Sequence, residues 1–167
     1  TKFHTQKTTK KHKMKAFFTL LLLLPIIVFA QQQTLAKFVI NDASFNSRDV
    51  TETYLDAGGY IVFYTNDDGQ LFMANVMSKR DTQSFGRLYS SEHNSLKETY
   101  DKYEADVFYF KWRYVNDYDS KKGTATVKFV KIYKPQGITF TCTIIPEDLE
   151  VLVYKGYMNG TIDFSRF

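Results

Sequence analysis

The chain has 167 residues and a formal net charge of +4 at pH 7, from 22 Lys and Arg against 18 Asp and Glu. The positive excess belongs to the first 30 residues, which carry six lysines and no acid, so that the following 137 residues hold 16 basic and 18 acidic residues. Basic residues in this longer part are interspersed with acids along the chain. A concentrated basic face of the kind that neutralises phosphates is therefore not predicted, and nucleic acid is not expected as a partner.

The N-terminal region has the pattern of a secretory signal peptide over residues 14–30. Met14 and Lys15 form a short positive start, an apolar run extends from Ala16, and small residues precede a cleavage point between Ala30 and Gln31. A membrane anchor needs about 20 apolar residues, whereas this run is shorter and contains a proline. We expect an exported protein, periplasmic or extracellular, with no stable membrane span after cleavage.

Residues 1–13 are basic and threonine-rich, and precede the first methionine. We expect them to be an upstream extension of the gene, the alternative being an unusually long basic start of the signal. Residues 31–167 contain no linker, repeat or low-complexity tract, and their length suits a single β-rich domain.

The first half of this domain shows strand signals around one short helix. The helix is predicted from Ser47, as N-cap, to Leu55, with two glycines stopping it. An Asn-Asp-Asp-Gly turn predicts a hairpin, and residues 96–103 are interpreted as one or two helical turns or as irregular. The strands predicted in this half are Lys37–Asn41, Tyr60–Thr65, Gln70–Val76 and Ser84–Ser90.

The second half is dominated by long strands. Residues 147–155 are open to two interpretations, because Pro146 and the following acids favour a helix start, while the β-branched residues favour a strand; we prefer the strand. The predicted fold is mainly β, an antiparallel meander that curls into a roll or partial barrel, with one or two short helices. The strands predicted here are Asp106–Val115, the longest, Thr124–Lys134, Ile138–Ile145, and a closing hairpin of Val151–Met158 with Thr161–Phe164.

Alternation along Asp106–Val115 gives the sharpest candidate site. Period two places four aromatic residues on one face, while Lys111 and Arg113 lie on the other. Such a row can line a concave pocket for an apolar ligand, a sugar ring or a peptide, or it can be an aromatic core. Trp112 is the preferred pocket wall because its indole N–H needs a partner or an open edge. The predicted ligand-binding residues are Phe108, Phe110, Trp112 and Tyr114.

No reactive centre is predicted. Cys142 shares a face with apolar residues, where burial makes a thiol inert, and His93 is the only histidine after residue 30. Residues 117–123 lack the glycine and glutamate that an EF-hand calcium loop requires, so no metal site and no cofactor are expected. A carboxylate pair of the glycosidase type is not decided by residue type, since acids are plentiful. The candidates are Asp101, Glu104, Asp106, Glu147 and Asp148.

The C-terminal half contains a set of short motifs: Trp112, Asn116–Asp119, Lys121–Ala125, Lys131–Gly137 and Lys155–Met158. On these residues it resembles small exported bacterial proteins of unassigned function. That resemblance implies no catalytic or binding residue. The residues therefore predict a non-enzymatic exported domain that binds a small ligand or a protein partner on an aromatic-rich face. The alternatives are a small hydrolase with a carboxylate pair and an envelope structural or adhesive protein.

Overall fold

Ten β-strands make up most of the computed structural model, which describes residues 33–90, 96–100 and 102–167. These residues belong to one unit that spans Gln32–Phe167. The predicted signal peptide and its cleavage point, together with His93 and Asp101, lie outside the described residues. The strands are β1 (Gln33–Phe45), β2 (Arg48–Asp49), β3 (Gly59–Thr65), β4 (Leu71–Met77), β5 (Thr82–Ser90), β6 (Leu96–Tyr100), β7 (Tyr103–Asn116), β8 (Lys122–Lys134), β9 (Gly137–Pro146) and β10 (Leu152–Gly160).

Three short helical elements accompany the strands in the described part of the chain. Helix α1 spans Thr51–Asp56, and two 3-10 turns span Ser78–Arg80 and Phe164–Arg166. No helix among the described residues is long and apolar enough to cross a membrane.

The strands form a closed antiparallel barrel. Eight of them pair in the order β1-β3-β4-β5-β7-β8-β9-β10, and β10 pairs back to β1. Strand β2 pairs with the end of β1, and β6 pairs with the first part of β7. The prediction of a mainly β antiparallel meander with a short helix is confirmed, and the sheet closes fully instead of stopping at a partial barrel.

Every second side chain of the strands points into the barrel and fills its interior, as expected for strands with one buried face. In β8, for example, Ala125, Val127 and Phe129 point inward and are at most 2 % exposed. Eight strands enclose a space just wide enough for side chains to fill or for one small ligand. Within this barrel the two ends of that space differ in the side chains that line them.

The helix is shorter than predicted. The chain turns sharply after β1, with positive φ at Asn46 and Ser47, so Ser47 cannot act as an N-cap. The start of α1 is hydrogen-bonded to β1, because the hydroxyl oxygen of Thr51 accepts a hydrogen bond from the Ala43 N–H at 2.9 Å. The helix therefore begins at Thr51.

Two further segments differ from the sequence prediction. Residues 96–100 form a strand where one or two helical turns, or irregular chain, had been expected, because pairing with β7 outweighs local propensity. The predicted closing hairpin is wrong: Leu152–Gly160 is one continuous strand that pairs with both β9 and β1, and residues 164–166 form a 3-10 turn. The preference for a strand near the end of 147–155 is confirmed from Leu152 onward.

Candidate ligand-binding pocket at the helical end of the barrel

One end of the barrel interior is filled by Phe164, from the C-terminal 3-10 turn. Its ring centroid lies 4.8 Å from that of Phe129 and 5.3 Å from that of Phe63. It also contacts Phe108 and Phe110, at 5.5 and 5.8 Å. Phe164 is 4 % exposed, so its ring is part of the packed core at this end.

The predicted aromatic row lines the barrel interior. Phe110 and Trp112 are 2 % and 3 % exposed and belong to the main core, against which Phe108 and Tyr114 pack while partly exposed. The ring of Tyr114 lies 4.6 Å from that of Trp112. This placement corresponds to the aromatic-core interpretation of the row, and its role in ligand binding stays a prediction.

The indole N–H of Trp112 finds its partner inside the sheet. Its Nε1 donates to the carbonyl oxygen of Gly86 at 3.3 Å. Glycine is required at this position because a Cβ would stand 1.8 Å from the carbonyl oxygen of Arg113 on β7. The close approach of β5 and β7 thus satisfies the only polar group of Trp112 within the core.

The opposite end holds an open pocket of about 500 Å³, within the range of roughly 300–1,000 Å³ that is usual for small-molecule sites. Helix α1 lies at one side of it, and the ends of β4, β5 and β10 form others. None of the four predicted aromatic residues lines it. The lining combines apolar residues (Phe45, Val50, Met77, Leu152), neutral polar residues (Thr53, Asn75, Thr82, Gln83, Ser84), three tyrosines (Tyr54, Tyr118, Tyr154) and Arg80.

A partly buried hydrogen-bond network connects three of these lining residues. The hydroxyl of Tyr54 donates to Oδ1 of Asn75, and Nδ2 of Asn75 donates to the hydroxyl oxygen of Tyr154 at 3.1 Å. The two tyrosine rings lie 4.8 Å apart. One asparagine thus uses both ends of its amide to hold two phenol groups, which presents a polar surface inside an otherwise apolar interior.

Three elements bring this network together. Asn75 points inward from β4 and Tyr154 points inward from β10, while Tyr54 reaches into the barrel from α1. The Tyr54 ring lies directly over the backbone of Gly59, where a Cβ would stand 2.0 Å from the ring. Glycine at this position allows α1 to place its tyrosine in the barrel.

The phenol groups of the network remain protonated at neutral pH. Burial raises the pKa of Tyr154 to about 12, and burial together with the neighbouring Tyr154 raises the pKa of Tyr54 well above its ordinary value. Neither hydroxyl ionises near pH 7. Both are therefore available there as neutral hydrogen-bond donors and acceptors.

The charge of the pocket is one-sided. Among the described residues that line the pocket, Arg80 is the only charged one, and none is Asp or Glu. Arg80 is exposed and makes no ion pair within the described part of the chain. Beside it, the hydroxyl of Ser84 donates to Oδ1 of Asn116 at 2.7 Å, which fixes one more polar group at the pocket wall.

The prediction that Cys142 is buried is confirmed. It is fully buried, pairs across the sheet with Tyr154 and Phe129, and has its pKa raised by burial. A thiol held neutral in this way is unreactive. Among the residues described, no group of three or more His, Cys, Asp or Glu is placed to hold a metal ion.

The carboxyl groups with displaced pKa values do not form a catalytic pair. Within the described ranges, the resolved pKa shifts of carboxyl groups are those of Asp49, Asp119 and Asp163, and all three are lowered. The main causes are local hydrogen bonds from Thr51, Lys121 and Ser165, respectively. A general acid needs a raised pKa instead.

Comparison of the chain with models of protein families, with curated proteins and with solved structures finds no match. The resemblance to small exported bacterial proteins stays a prediction.

Sequence reasoning missed the pocket because its residues come from distant segments. One signal was present: Asn75 shares its face with Leu71 and Met73, and an amide at an inward position of a strand requires a buried partner. Tyr54 gave no such signal, since its inward direction depends on where α1 begins.

Proposed function

We propose that this protein is an exported, non-enzymatic binding protein that takes a small ligand into the pocket beside α1. The observation that carries the proposal is the neutral network of Tyr54, Asn75 and Tyr154 at an open, otherwise largely apolar pocket. Pockets of this composition, with a few convergent polar groups, are typical of small-molecule sites. Export rests on the sequence pattern of residues 14–30.

The lining favours a particular ligand chemistry. Apolar side chains would cover an aromatic or aliphatic body, while the amide and hydroxyl groups would exchange hydrogen bonds with one polar end. Arg80 at the rim favours an anion over a cation, because no lining carboxylate compensates its charge. The expected ligand is therefore a mainly apolar molecule with an acidic or hydrogen-bond-accepting group.

Blocking the pocket tests the proposal. Thr53 lines the pocket from the exposed side of α1, so Thr53→Trp fills the opening without altering the core. The probe is 1-anilinonaphthalene-8-sulfonate, an anionic aromatic molecule whose fluorescence rises in apolar surroundings. We expect Thr53→Trp to weaken its binding at least tenfold in a fluorescence titration.

The neighbouring residue provides the matched control. Glu52 is exposed on the same helix and does not line the pocket, so Glu52→Trp adds the same ring outside it. Binding by this variant should equal that of the unmodified protein. Equal binding by all three proteins would place the probe elsewhere and overturn the proposal.

The rival classes receive less support. A carboxylate-pair hydrolase needs two acids in one cleft, and none of the described residues that line the pocket is an acid. An adhesive protein would offer an open sheet edge or an exposed aromatic surface. The eight barrel strands, in contrast, pair on both sides.

A further inference from the structure

Strand register gathers basic residues that are separated in the sequence. Arg87 of β5 lies directly opposite Arg113 of β7, and the next outward pair is Tyr89 with Lys111. Lys128 of β8 follows opposite Tyr109. We call Arg87, Lys111, Arg113 and Lys128 the basic outer face.

The barrel strands that surround this face carry few acidic residues in the described part of the chain. Strands β3, β4, β5, β8 and β9 contain no Asp or Glu, and in β7 the acids are confined to its first four residues. No salt bridge to the four basic residues occurs in the described part of the chain. Basic and acidic residues are interspersed along the sequence, but the strand register groups these four basic residues on one part of the surface.

The two arginines are held together despite their like charge. Opposed like charges destabilise a strand pair, yet both guanidinium groups lie over the ring of Tyr89, at 4.4 and 5.0 Å from its centroid. The Nε atom of Arg87 is buried and makes no hydrogen bond. An oxyanion bound to the two guanidinium groups from outside would offset their repulsion.

An apolar surface adjoins the basic outer face. Phe85 pairs with Ala74 and Val115, and in the next row Phe72 pairs with Tyr64 and with Arg87. Phe85 is 37 % exposed, and the rings of Tyr64 and Phe72 stack at 5.4 Å. Lys37 lies at the other side of this apolar surface, with its Nζ atom 3.7 Å from the centroid of the Tyr60 ring. We call Val62, Tyr64, Phe72, Val76 and Phe85 the apolar outer face; all five are at least partly exposed.

We propose that these two faces together dock the protein on an anionic phospholipid surface. The cations would contact headgroup phosphates, each contributing about 1 kcal/mol near such a surface, while the apolar side chains would enter the interfacial layer as aromatic residues commonly do. This docking is independent of the ligand pocket, which lies at the end of the barrel.

Other occupants agree less well with the same residues. A symmetric contact with a second copy would oppose cation to cation. Single-stranded nucleic acid uses free aromatic faces for base stacking, whereas Tyr89 is already covered by two guanidinium groups. Protein interfaces are depleted in lysine, and two lysines belong to the basic outer face.

Vesicle binding tests the docking. Residues Gln32–Phe167 form one compact unit, so the chain from Gln31 is used, which omits the apolar segment of residues 16–30. We expect it to co-sediment with vesicles of phosphatidylcholine and phosphatidylglycerol at 3:1 in 0.1 M NaCl. Binding should fall in 0.5 M NaCl and be absent on pure phosphatidylcholine, because salt screens the attraction.

Matched charge variants locate the surface. Lys111→Gln with Arg113→Gln should weaken binding about 25-fold, which is about fivefold for each charge. Lys79→Gln with Lys155→Gln removes the same charge from exposed positions elsewhere and should change binding less than twofold. Equal losses in both double variants would overturn the proposal, as would equal binding to neutral vesicles.

A tryptophan at Phe85 reports contact with lipid. Trp112 is the only tryptophan and is 3 % exposed in the core. Brominated acyl chains should therefore not quench the fluorescence of the unmodified protein. In Phe85→Trp, the added fluorescence should be quenched on brominated vesicles. Vesicle binding without this quenching, or binding of a thymidine 20-mer in place of vesicles, would contradict docking through these faces.

Discussion

The two ends of the barrel are covered by short elements, yet one end is filled and the other is open. At the C-terminal end, Phe164 meets four other phenylalanine rings and completes the core. At the helical end, Tyr54 and Tyr154 bring hydroxyl groups that must be hydrogen-bonded, and Asn75 supplies the partners. The two ends therefore differ in what lines them: phenylalanine rings pack together at one, and hydrogen-bonded tyrosines border an open pocket at the other.

The largest expected effect comes from emptying the filled end. Phe164→Ala removes a buried ring from the aromatic cluster, and we expect a loss of about 3–5 kcal/mol in the free energy of unfolding, measured with urea. Arg166→Ala, an exposed change in the same 3-10 turn, should cost less than about 0.5 kcal/mol. A loss below 1 kcal/mol for Phe164→Ala would show that this end is not a packed core.

Alkaline pH should act on the polar end. Tyr154 has an ordinary pKa near 10 when unfolded and about 12 when folded. Its neutral form is favoured by folding, so its contribution is complete below pH 10 and is lost as the pH rises towards 12, at about 1.4 kcal/mol per pH unit. From pH 9 to pH 11.5, the free energy of unfolding, measured with urea, should fall in both proteins. The fall should be about 2 kcal/mol smaller in Tyr154→Phe than in the unmodified protein. Equal losses in the two proteins would mean that Tyr154 is accessible to water.

A smaller effect is expected for one hydroxyl group. Tyr54→Phe removes the donor to Asn75 while keeping the ring that packs against Tyr154. We expect the free energy of unfolding to fall by about 1 kcal/mol, which is the usual net contribution of one hydrogen bond. Binding of the fluorescent probe should weaken by tenfold or less. A cost above 3 kcal/mol would indicate a closed core at this end, with no access for water to replace the bond.

Much of the fold was predictable because long strands carry a local signal. Alternation located β7, β8 and β9, and the Asn66–Gly69 turn located the hairpin of β3 and β4. The start of α1 was not predictable, since the turn at Asn46 and Ser47 depends on contacts with β1 and on Val151. Closure of the barrel was missed because β1 and β10 are far apart in sequence.

The candidate site was less predictable than the fold. The aromatic row of β7 was visible, but two of its rings, Phe108 and Phe110, pack against Phe164, which comes from the last residues of the chain. The hydrogen-bond network at the helical end needs residues from α1, β4 and β10 to come together. No local sequence pattern predicts that arrangement. Likewise, Arg87 and Arg113 become neighbours only through the pairing of β5 with β7.

The central claim, that the helical end is the ligand site, is tested most directly by NMR titration with 1-anilinonaphthalene-8-sulfonate. We predict saturable shifts of the Asn75 side-chain amide and of the backbone amides of Thr53 and Ser84, all in the pocket lining. The amides of Phe110 and Phe164, at the filled end, should not move. Saturable shifts confined to Phe110 and Phe164, or to the outer face around Phe85, with none at Asn75, would contradict the account.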